Sequence, residues 1–357
     1  MDVILDLYET FIGDHVFARL HPAQSTVHNS SLSNSTSLPY GVPCIYKPST
    51  KYFTVRPSPA VCMSAWPRDK VYRQAVNLFL IFCHNRSLTN LSSRRRFFGA
   101  VVYFFFSTLS YAFIFDKQMK KHPKYLKNQV WMEIEQTLWA LPGLSLLTLP
   151  FVLAEARGYS KMYDTSAEGP GKWYDILQFP FFILFTDFCI YWIHRWLHNP
   201  MVYKTLHKKH HKWIVPTPFA AYAFHPIDGW VQSLPYHIFT FLFPMQKFAF
   251  LALFVFVNFW SILIHDGEYL ANNPIINGAA CHTIHHLYFN YNYGQYTTLW
   301  DRLGGSHRKP QKELFEKEKK KDEGEWERQS KEMESMVVKV EGKDDRVYSP
   351  SDSKKNN

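Results

Sequence analysis

Eight histidines fall into three short motifs, HRWLH, HKKHH and HTIHH, and the last two share the spacing His-x-x-His-His. They are His194, His198, His207, His210, His211, His282, His285 and His286. On a helix, residues i, i+3 and i+4 lie on one face, so each triplet would direct its imidazoles into one small volume. Imidazole is a good ligand for iron, zinc, copper and nickel. Because eight such ligands are too many for one ion, the pattern predicts two metal ions held between helices.

Chance explains the repeated motif poorly. In a chain with 17 histidines among 357 residues, two copies would arise by chance with odds of roughly one in a thousand. The zinc-protease pattern H-E-x-x-H is absent, and the five cysteines form no C-x-x-C pair. Many imidazoles on membrane helices suit a pair of irons that binds and splits dioxygen. The sequence therefore favours an oxygen-activating site with two irons.

Further residues are candidates for the same site. His265, in LIHDGE, and His225, in AFHPIDG, are possible additional ligands, although a His-Pro pair can also simply mark a helix boundary. Asp187 lies inside an apolar segment, where a carboxylate is costly and needs a partner such as a ligand histidine or a polar group of the substrate. The alternative is a position at the membrane surface. Ligating imidazoles usually donate their second N–H to a carboxylate or a carbonyl. The carboxylates near the motifs are Asp187, Asp228, Asp266, Glu268 and Asp301.

Long apolar segments must position these histidines. Four of them approach the length of a membrane span, namely residues 97–115, 138–154, 176–193 and 248–264. The stretch 234–264 is predicted to form a re-entrant or tilted hairpin, which leaves its number of complete spans open. The expected fold is therefore all-α: a polytopic membrane bundle of about four spans with a cytosolic, histidine-rich cap that holds two metals. The net charge of +10 comes largely from lysines and arginines beside the apolar segments and in the tail, so it indicates contact with membrane lipid and no nucleic-acid partner.

The chain divides into four predicted regions. Residues 1–92 are expected to be lumenal, in agreement with sequons at Asn29 and Asn34, and 93–175 carry the first spans. Residues 176–308 form the catalytic domain, and 309–357 are a charged cytosolic tail, mostly disordered or loosely helical. The tail ends in Lys354 and Lys355 followed by two asparagines, which matches a dilysine retrieval signal. These features predict a multi-pass protein of the endoplasmic reticulum membrane, although Arg94–Arg96 would then be lumenal, against the positive-inside tendency.

The spelling of the histidine region resembles the fungal sterol C5-desaturases of the fatty acid hydroxylase/sterol desaturase superfamily. The resemblance covers about residues 170–310 and is carried by HRWLH, LHKKHHKWIVPTPFAAYAFHPIDGW, NFWSILIHDGEYL and INGAACHTIHHLYFNYNYGQYTTLWDRLGGSHRKP. It implies that the eight histidines are the family's three iron-binding boxes and that His265 is a further motif histidine. Thr217, in VPTPF, falls at a position associated with the active site, so Thr217 and Asp187 are candidate catalytic residues. Lys209 stands where many relatives carry proline, between ligands.

The resemblance also implies a reaction and its partners. Two ferrous ions would activate O2, and loss of hydrogen from C5 and then C6 of a Δ7-sterol would give the 5,7-diene in ergosterol biosynthesis. The electrons would come from cytochrome b5, reduced by an NAD(P)H-dependent reductase. The lysines of residues 204–212 are a possible docking surface for it, or serve only topology and lipid contact. Alternatives are C4-methyl sterol oxidation, fatty-acid hydroxylation, membrane metal transport, or a catalytically silent scaffold.

Overall fold

The structure is a computed structural model that describes residues 2–22, 64, 68–82, 98–268, 273–311, 315, 316, 319 and 322–348. The sequons, the cluster Arg94–Arg96 and the dilysine ending lie outside these residues. The described chain is mostly helical, as predicted. Its helices are α1 (Asp2–Tyr8), α2 (Asp14–Leu20), α3 (Val71–Phe82), α4 (Phe98–Phe113), α5 (Gln129–Ala156), α6 (Lys172–Leu197), α7 (Pro200–Val202), α8 (Pro226–Leu242), α9 (Lys247–Leu263), α10 (Ala279–Tyr288), α11 (Leu299–Leu303) and α12 (Glu323–Glu341).

Short irregular elements connect these helices. Two π-helical turns, Glu9–Gly13 and Tyr203–His207, and two 3-10 turns, Lys117–Lys121 and Pro218–Tyr222, join helices or precede them. The described residues contain one small sheet, in which β1 (Met162–Tyr163) pairs in parallel with β2 (Met245–Gln246). This sheet links the α5–α6 connection to the turn between α8 and α9.

Helices α5, α6, α8 and α9 surround the centre of the molecule. Helix α8 packs mainly against α5 and α6, whereas α9 packs mainly against α4. The chain alternates in direction, so α5 and α8 begin at the end of the bundle where α6 and α9 finish. That shared end carries all the histidine motifs, because His194 closes α6, the HKKHH motif precedes α8 and His265 follows α9. We call it the histidine end.

Two of the four predicted membrane segments are long enough to span a bilayer. Helices α5 and α6 have 28 and 26 residues, and only 22% and 33% of their most apolar windows are buried inside the protein. Their remaining surface faces outward, as expected for helices in lipid. The other two segments form the shorter apolar helices Val102–Phe113 and Lys247–Leu263. The helical character is therefore confirmed, the two long apolar helices support a membrane protein, and the number of spans stays a prediction.

Helix α5 begins nine residues before the predicted segment 138–154. The residues that made this part look polar, Gln129, Glu133 and Thr137, are all buried. Gln129 donates to Glu133 (2.7 Å) and to the carbonyl of Val215 (2.8 Å), so its polar groups are satisfied inside the protein. These partners are distant in the sequence, so the apolar run 138–154 alone does not show that the helix begins at Gln129.

The N-terminal region has a structure that its sequence did not show. Helices α1 and α2 pack with α3, and α3 packs on the end of α5 far from the histidines. Glu9 and Asp14 are buried and pair with the buried Arg73, whose Nη2 lies 2.7 Å from Asp14 Oδ1. Buried carboxylates of this kind depend on a cation some 60 positions away, which no local period reveals.

The tail was predicted to be mostly disordered or loosely helical, and over Glu323–Glu341 disorder is wrong, because these residues form a packed helix. Helix α12 covers these 19 residues and begins at an N-cap, Asp322, whose side chain accepts from the backbone of Glu325. Trp326, Met333 and Val337 recur at helical spacing on one face and are buried in a core shared with α10 and its flanking loops. These three apolar residues hold the helix against the rest of the protein, although its sequence is mostly charged, because the apolar surface that they contact is formed by other elements.

Candidate metal centre

Different local structures present the two His-x-x-His-His motifs. The second lies on α10, as the spacing predicts. The first does not lie on an α-helix: His207 ends the π-helical turn Tyr203–His207, and His210 and His211 follow in a turn. Asn199 caps the preceding short helix with its side chain and Pro200 opens it, so α6 cannot continue into this motif.

The histidines form two groups, and the nitrogens of each group lie within 4.8 Å of one another. The first group contains five residues, His194, His198, His207, His211 and His285. The second contains four, His210, His265, His282 and His286. Each His-x-x-His-His triplet is thus divided between the groups, two residues to one and one to the other. The motifs act together because each supplies ligands to both places.

The distances within the groups fit metal ions. Nε2 of His282 lies 3.0 Å from Nε2 of His265 and 3.2 Å from Nε2 of His286. Nε2 of His265 lies 3.5 Å from Nε2 of His210. Nitrogens bound about 2.1 Å from one ion, at angles of about 90–110°, would be about 3.0–3.4 Å apart. In the first group, Nε2 of His194 and His207 are 3.1 Å apart.

Unpaired nitrogens support the same fit. Both ring nitrogens of His198 and His211, and Nε2 of His285, are buried without a hydrogen-bond partner among the described residues. Buried polar atoms are normally paired, and those that are not require an explanation such as a missing ion. Both groups therefore have the donor set and spacing of a metal site, and the first group also has unmet bonding capacity.

Four ring nitrogens have partners that fix their orientation. In each case Nδ1 contacts an acceptor, which leaves Nε2 for a metal. The pairs are His207 with Asp228 Oδ2 (2.8 Å), His194 with the Tyr293 carbonyl (3.0 Å), His285 with the Tyr291 carbonyl (2.7 Å) and His265 with the Ser261 carbonyl (2.6 Å). Asp228 was expected in such a role from its position, whereas no sequence signal identified the three carbonyls.

Burial keeps seven of these imidazoles neutral. It is the main cause that lowers the pKa of His265 to about 4, against its usual value of 6.5. For six others burial, aided by repulsion between neighbouring imidazoles, lowers the pKa well below 6.5; they are His198, His210, His211, His282, His285 and His286. Since only the neutral imidazole binds a metal ion, the protein holds these side chains in the ligating form at neutral pH.

A cavity of about 210 Å³ leads to the histidines between α5, α6, α8 and α9. His194 of the first group and His210, His265 and His282 of the second line its inner end. Most of its wall is apolar, with side chains such as Leu141, Phe182, Phe224, Phe254 and Val257. The arrangement can hold an elongated apolar molecule with one end against the metal groups.

Three predicted site residues lie outside the two groups. Thr217 is buried, caps the turn Pro218–Tyr222 and donates its hydroxyl to Glu133. His225 caps α8, where its Nδ1 accepts from the backbone of Ile227 at 3.3 Å. His225 therefore has the alternative, helix-boundary role and is not placed with the ligands.

Asp187 is buried in α6, and its carboxylate binds the loop that follows α10. It accepts from the backbone N–H groups of Gln295 (3.0 Å), Tyr296 (2.8 Å) and Thr297 (3.2 Å), and from the Thr297 hydroxyl (2.6 Å). Neither Asp187 nor Thr217 lines the cavity. Both contact elements that carry site residues, so the structure gives them positions from which they can orient the site. Glu133 was missed, since an acidic residue before an apolar segment has no distinguishing pattern.

Comparison with known proteins agrees with this site. Residues 179–306 match the model of the fatty acid hydroxylase family. A probable Delta(7)-sterol 5(6)-desaturase of Neurospora crassa is 56% identical over 356 residues, which is 99% of each chain. A Delta(7)-sterol 5(6)-desaturase of Aspergillus fumigatus is 57% identical and one of Leptosphaeria maculans 55% identical, each over 98% of this chain and 97% of its own. No solved structure matches. With this similarity over essentially the whole length, the chain belongs to the family of fungal Delta(7)-sterol 5(6)-desaturases.

Proposed function

We propose that the chain is an oxygen-dependent desaturase that introduces the C5(6) double bond into a Δ7-sterol in ergosterol biosynthesis. The observation that supports this most directly is an apolar cavity whose inner end is lined by four histidines of the two groups. The sterol loses two hydrogen atoms, and O2 takes these together with two electrons and two protons to give two molecules of water. Two iron ions, one in each histidine group, would supply the oxygen activation and the hydrogen removal.

The chain's own residues would bind the ions, orient the ligating imidazoles and shield the reacting carbons from water. The five and four imidazoles would hold the two ions, and Asp228 and three backbone carbonyls are placed to keep Nδ1 protonated on four of them. The apolar walls of the cavity exclude water from the reacting carbons, which prevents side reactions of activated oxygen. His194, His210, His265 and His282 reach the cavity, so C5 and C6 would be presented to that side of the groups.

The electrons must come from another protein, and we propose cytochrome b5 with its NAD(P)H-dependent reductase. The surface beside the first His-x-x-His-His motif is basic. Lys204, Lys209 and Lys212 are exposed there and form no ion pair with any described residue. Lys208 differs, because it pairs with Glu341 (3.2 Å) and Asp345 (3.0 Å) of the C-terminal segment. Docking of an acidic haem protein would thus depend on the three lysines that form no ion pair, two of which, Lys209 and Lys212, lie over the rings of Trp139 and Trp213.

We further propose a multi-pass location in the endoplasmic reticulum membrane, with the histidine end in the cytosol. Trp173 and Trp192 are exposed on α6 and are 19 positions apart, a rise of about 29 Å, close to the thickness of the hydrocarbon core. Exposed tryptophans at both ends of a span are typical of membrane interfaces. The basic connector 117–127 lies at the histidine end, which agrees with a cytosolic side.

Sterol profiles test the reaction. In a fungal strain without its own C5-desaturase, the wild-type chain should restore 5,7-diene sterols. His285→Ala, from the first group, and His282→Ala, from the second, should instead leave Δ7-sterols to accumulate. His15→Ala is the matched control, since His15 is exposed and distant from both groups.

The proposal would be contradicted by evidence for another reaction or for metal transport. Restoration of C4-demethylation or of hydroxylated fatty acids, with no effect on 5,7-dienes, would assign another reaction of the superfamily. Purified protein should contain about two irons per chain, and each histidine variant should contain less. Metal uptake into vesicles without sterol turnover would indicate a transporter.

A further inference from the structure

Gln295 lies on the cavity wall, and its backbone is fixed from two sides. Its N–H donates to Asp187 Oδ1 (3.0 Å), and its carbonyl accepts from the indole of Trp260 (2.7 Å). Its side-chain Nε2 donates to the hydroxyl oxygen of Ser261 at 3.2 Å. Because three side chains hold it, Gln295 presents its amide to the cavity in one orientation.

This polar pair lies close to the metal groups. Ser261 precedes His265 by four residues, one turn of helix or about 5–6 Å, and its carbonyl accepts from Nδ1 of His265 at 2.6 Å. Two other polar pairs near the histidine end are already engaged. Tyr222 donates to Asn258, and Gln232 donates to Asp228. The Oε1 atom of Gln295 and the hydroxyl proton of Ser261 have no hydrogen-bond partner among the described residues.

A Δ7-sterol has one polar group, the hydroxyl on C3, and C3 is only two bonds from C5. Wherever C5 meets the metal groups, the hydroxyl must therefore lie near the same end of the cavity. We propose that Gln295 and Ser261 form the site for this hydroxyl, which donates to Gln295 Oε1 and accepts from the Ser261 hydroxyl. Asp187 then acts as a positioning residue for Gln295. This inference rests on the proposed function.

Thr148 is the alternative site for the hydroxyl. It also lines the cavity, and its hydroxyl is buried without a partner among the described residues. It lies seven residues beyond Leu141 on α5, about 10 Å farther from the histidine end. A sterol bound through Thr148 would place C5 away from the metal groups, so this orientation does not suit the reaction.

Equilibrium binding to the purified, iron-loaded full-length chain tests the inference. The two probes are a radiolabelled Δ7-sterol with its 3β-hydroxyl and the 3-deoxy analogue. Wild type should prefer the hydroxysterol. Gln295→Leu should weaken binding of the hydroxysterol about tenfold and change binding of the deoxy analogue less than about twofold. Ser261→Ala should also reduce the preference for the hydroxysterol over the deoxy analogue, by a smaller factor. If Gln295→Leu does not fold, Ser261→Ala alone tests the inference.

Thr148→Val is the matched control and should keep the wild-type preference. A preference that persists in both Gln295→Leu and Ser261→Ala would overturn the inference, as would its loss in Thr148→Val. Equal weakening of both probes would show a merely structural effect and would also overturn it. The proposed function is tested separately by the sterol profiles of the complemented strain, which report turnover by the wild-type chain and do not depend on the binding preference of these variants.

Discussion

Single side chains decide whether the histidines can act as ligands. An imidazole can offer Nε2 to a metal only when its proton is on Nδ1, and a fixed acceptor at Nδ1 ensures this. Three of the four acceptors are backbone carbonyls, which substitution cannot remove. Asp228 is the fourth, and it is fully buried in contact with His207. It is therefore the residue through which this effect can be measured.

Asp228→Ala should lower iron affinity and activity about 10- to 100-fold, because His207 loses the partner that orients it. Iron retained by the purified protein during dialysis against a chelator measures the effect. Asp228→Asn should retain an amount of iron between those of wild type and Asp228→Ala, since the amide carbonyl can still accept from Nδ1 of His207. Asp175→Ala, at the other end of α6, is the control and should retain iron like wild type. Equal retention in Asp228→Ala would contradict the role.

Thr217 provides a second test at this scale. Its hydroxyl is the donor to the buried Glu133, and its N–H also donates to Glu133 at 3.2 Å. Thr217→Val should destabilise the protein by about 1–3 kcal/mol, because a buried carboxylate loses a donor. Thermal unfolding measures this, and Thr217→Ser should retain most of the stability. Combining Thr217→Val with Glu133→Gln should recover part of the loss.

A different result would contradict a purely structural role for Thr217. If Thr217→Val keeps wild-type stability and iron content but loses activity, its hydroxyl acts on the reaction directly, as the motif position suggests.

Among the elements, the C-terminal segment has the least expected role. Arg346, with a side chain only 2% exposed, donates to the carbonyl of His211 (2.9 Å) and to Glu341 (2.7 Å). Glu341 also accepts from the buried Tyr203, whose ring contacts His198 and His211. Helix α12 and residues 342–348 therefore support the first His-x-x-His-His motif from outside, although they contribute no ligand.

Two truncations separate this support from the rest of the tail. Removal of residues 322–357 should abolish iron retention and activity, because Trp326, Met333 and Val337 and the Arg346 contact are lost. Removal of 349–357 alone should leave both unchanged, because the contacts named here all involve residues before 349. Iron content and activity of the purified proteins are the measurements. Full iron content in the longer truncation would contradict the proposed support.

For the molecule as a whole, the neutral histidines couple stability to pH. Their pKa values in the folded protein are lowered by burial, to about 4 for His265, whereas an unfolded chain protonates histidine near pH 6.5. The unfolded state therefore binds more protons below about pH 6.5, and the stability of the iron-free protein should fall as pH decreases from about 7 towards 4.

Thermal unfolding of the iron-free protein across this pH range measures the effect. Replacing His211 by phenylalanine should flatten the dependence, because one group that protonates only on unfolding is gone. An unchanged melting temperature between pH 7 and pH 5 would contradict the presence of buried neutral imidazoles.

The sequence alone indicated the candidate metal ligands and the family of this protein. Residue types and short spacings identified the eight motif histidines and His265 as candidate ligands, and long apolar runs predicted a helical membrane protein. The motif spelling also predicted the family, which the comparison with fungal relatives confirms. These properties depend on residues near one another in the chain, so a sequence reveals them directly.

Only the tertiary structure decided how those residues work together. It divided each histidine triplet between two groups, gave Asp187 and Thr217 positions away from the cavity wall, and showed that the tail packs beside the site. The contacts responsible join residues 108 positions apart for Asp187 and Gln295, 84 for Thr217 and Glu133, and 135 for Arg346 and His211. Such pairs meet only because helices pack, and no local period or motif encodes which distant residue will satisfy a buried polar group.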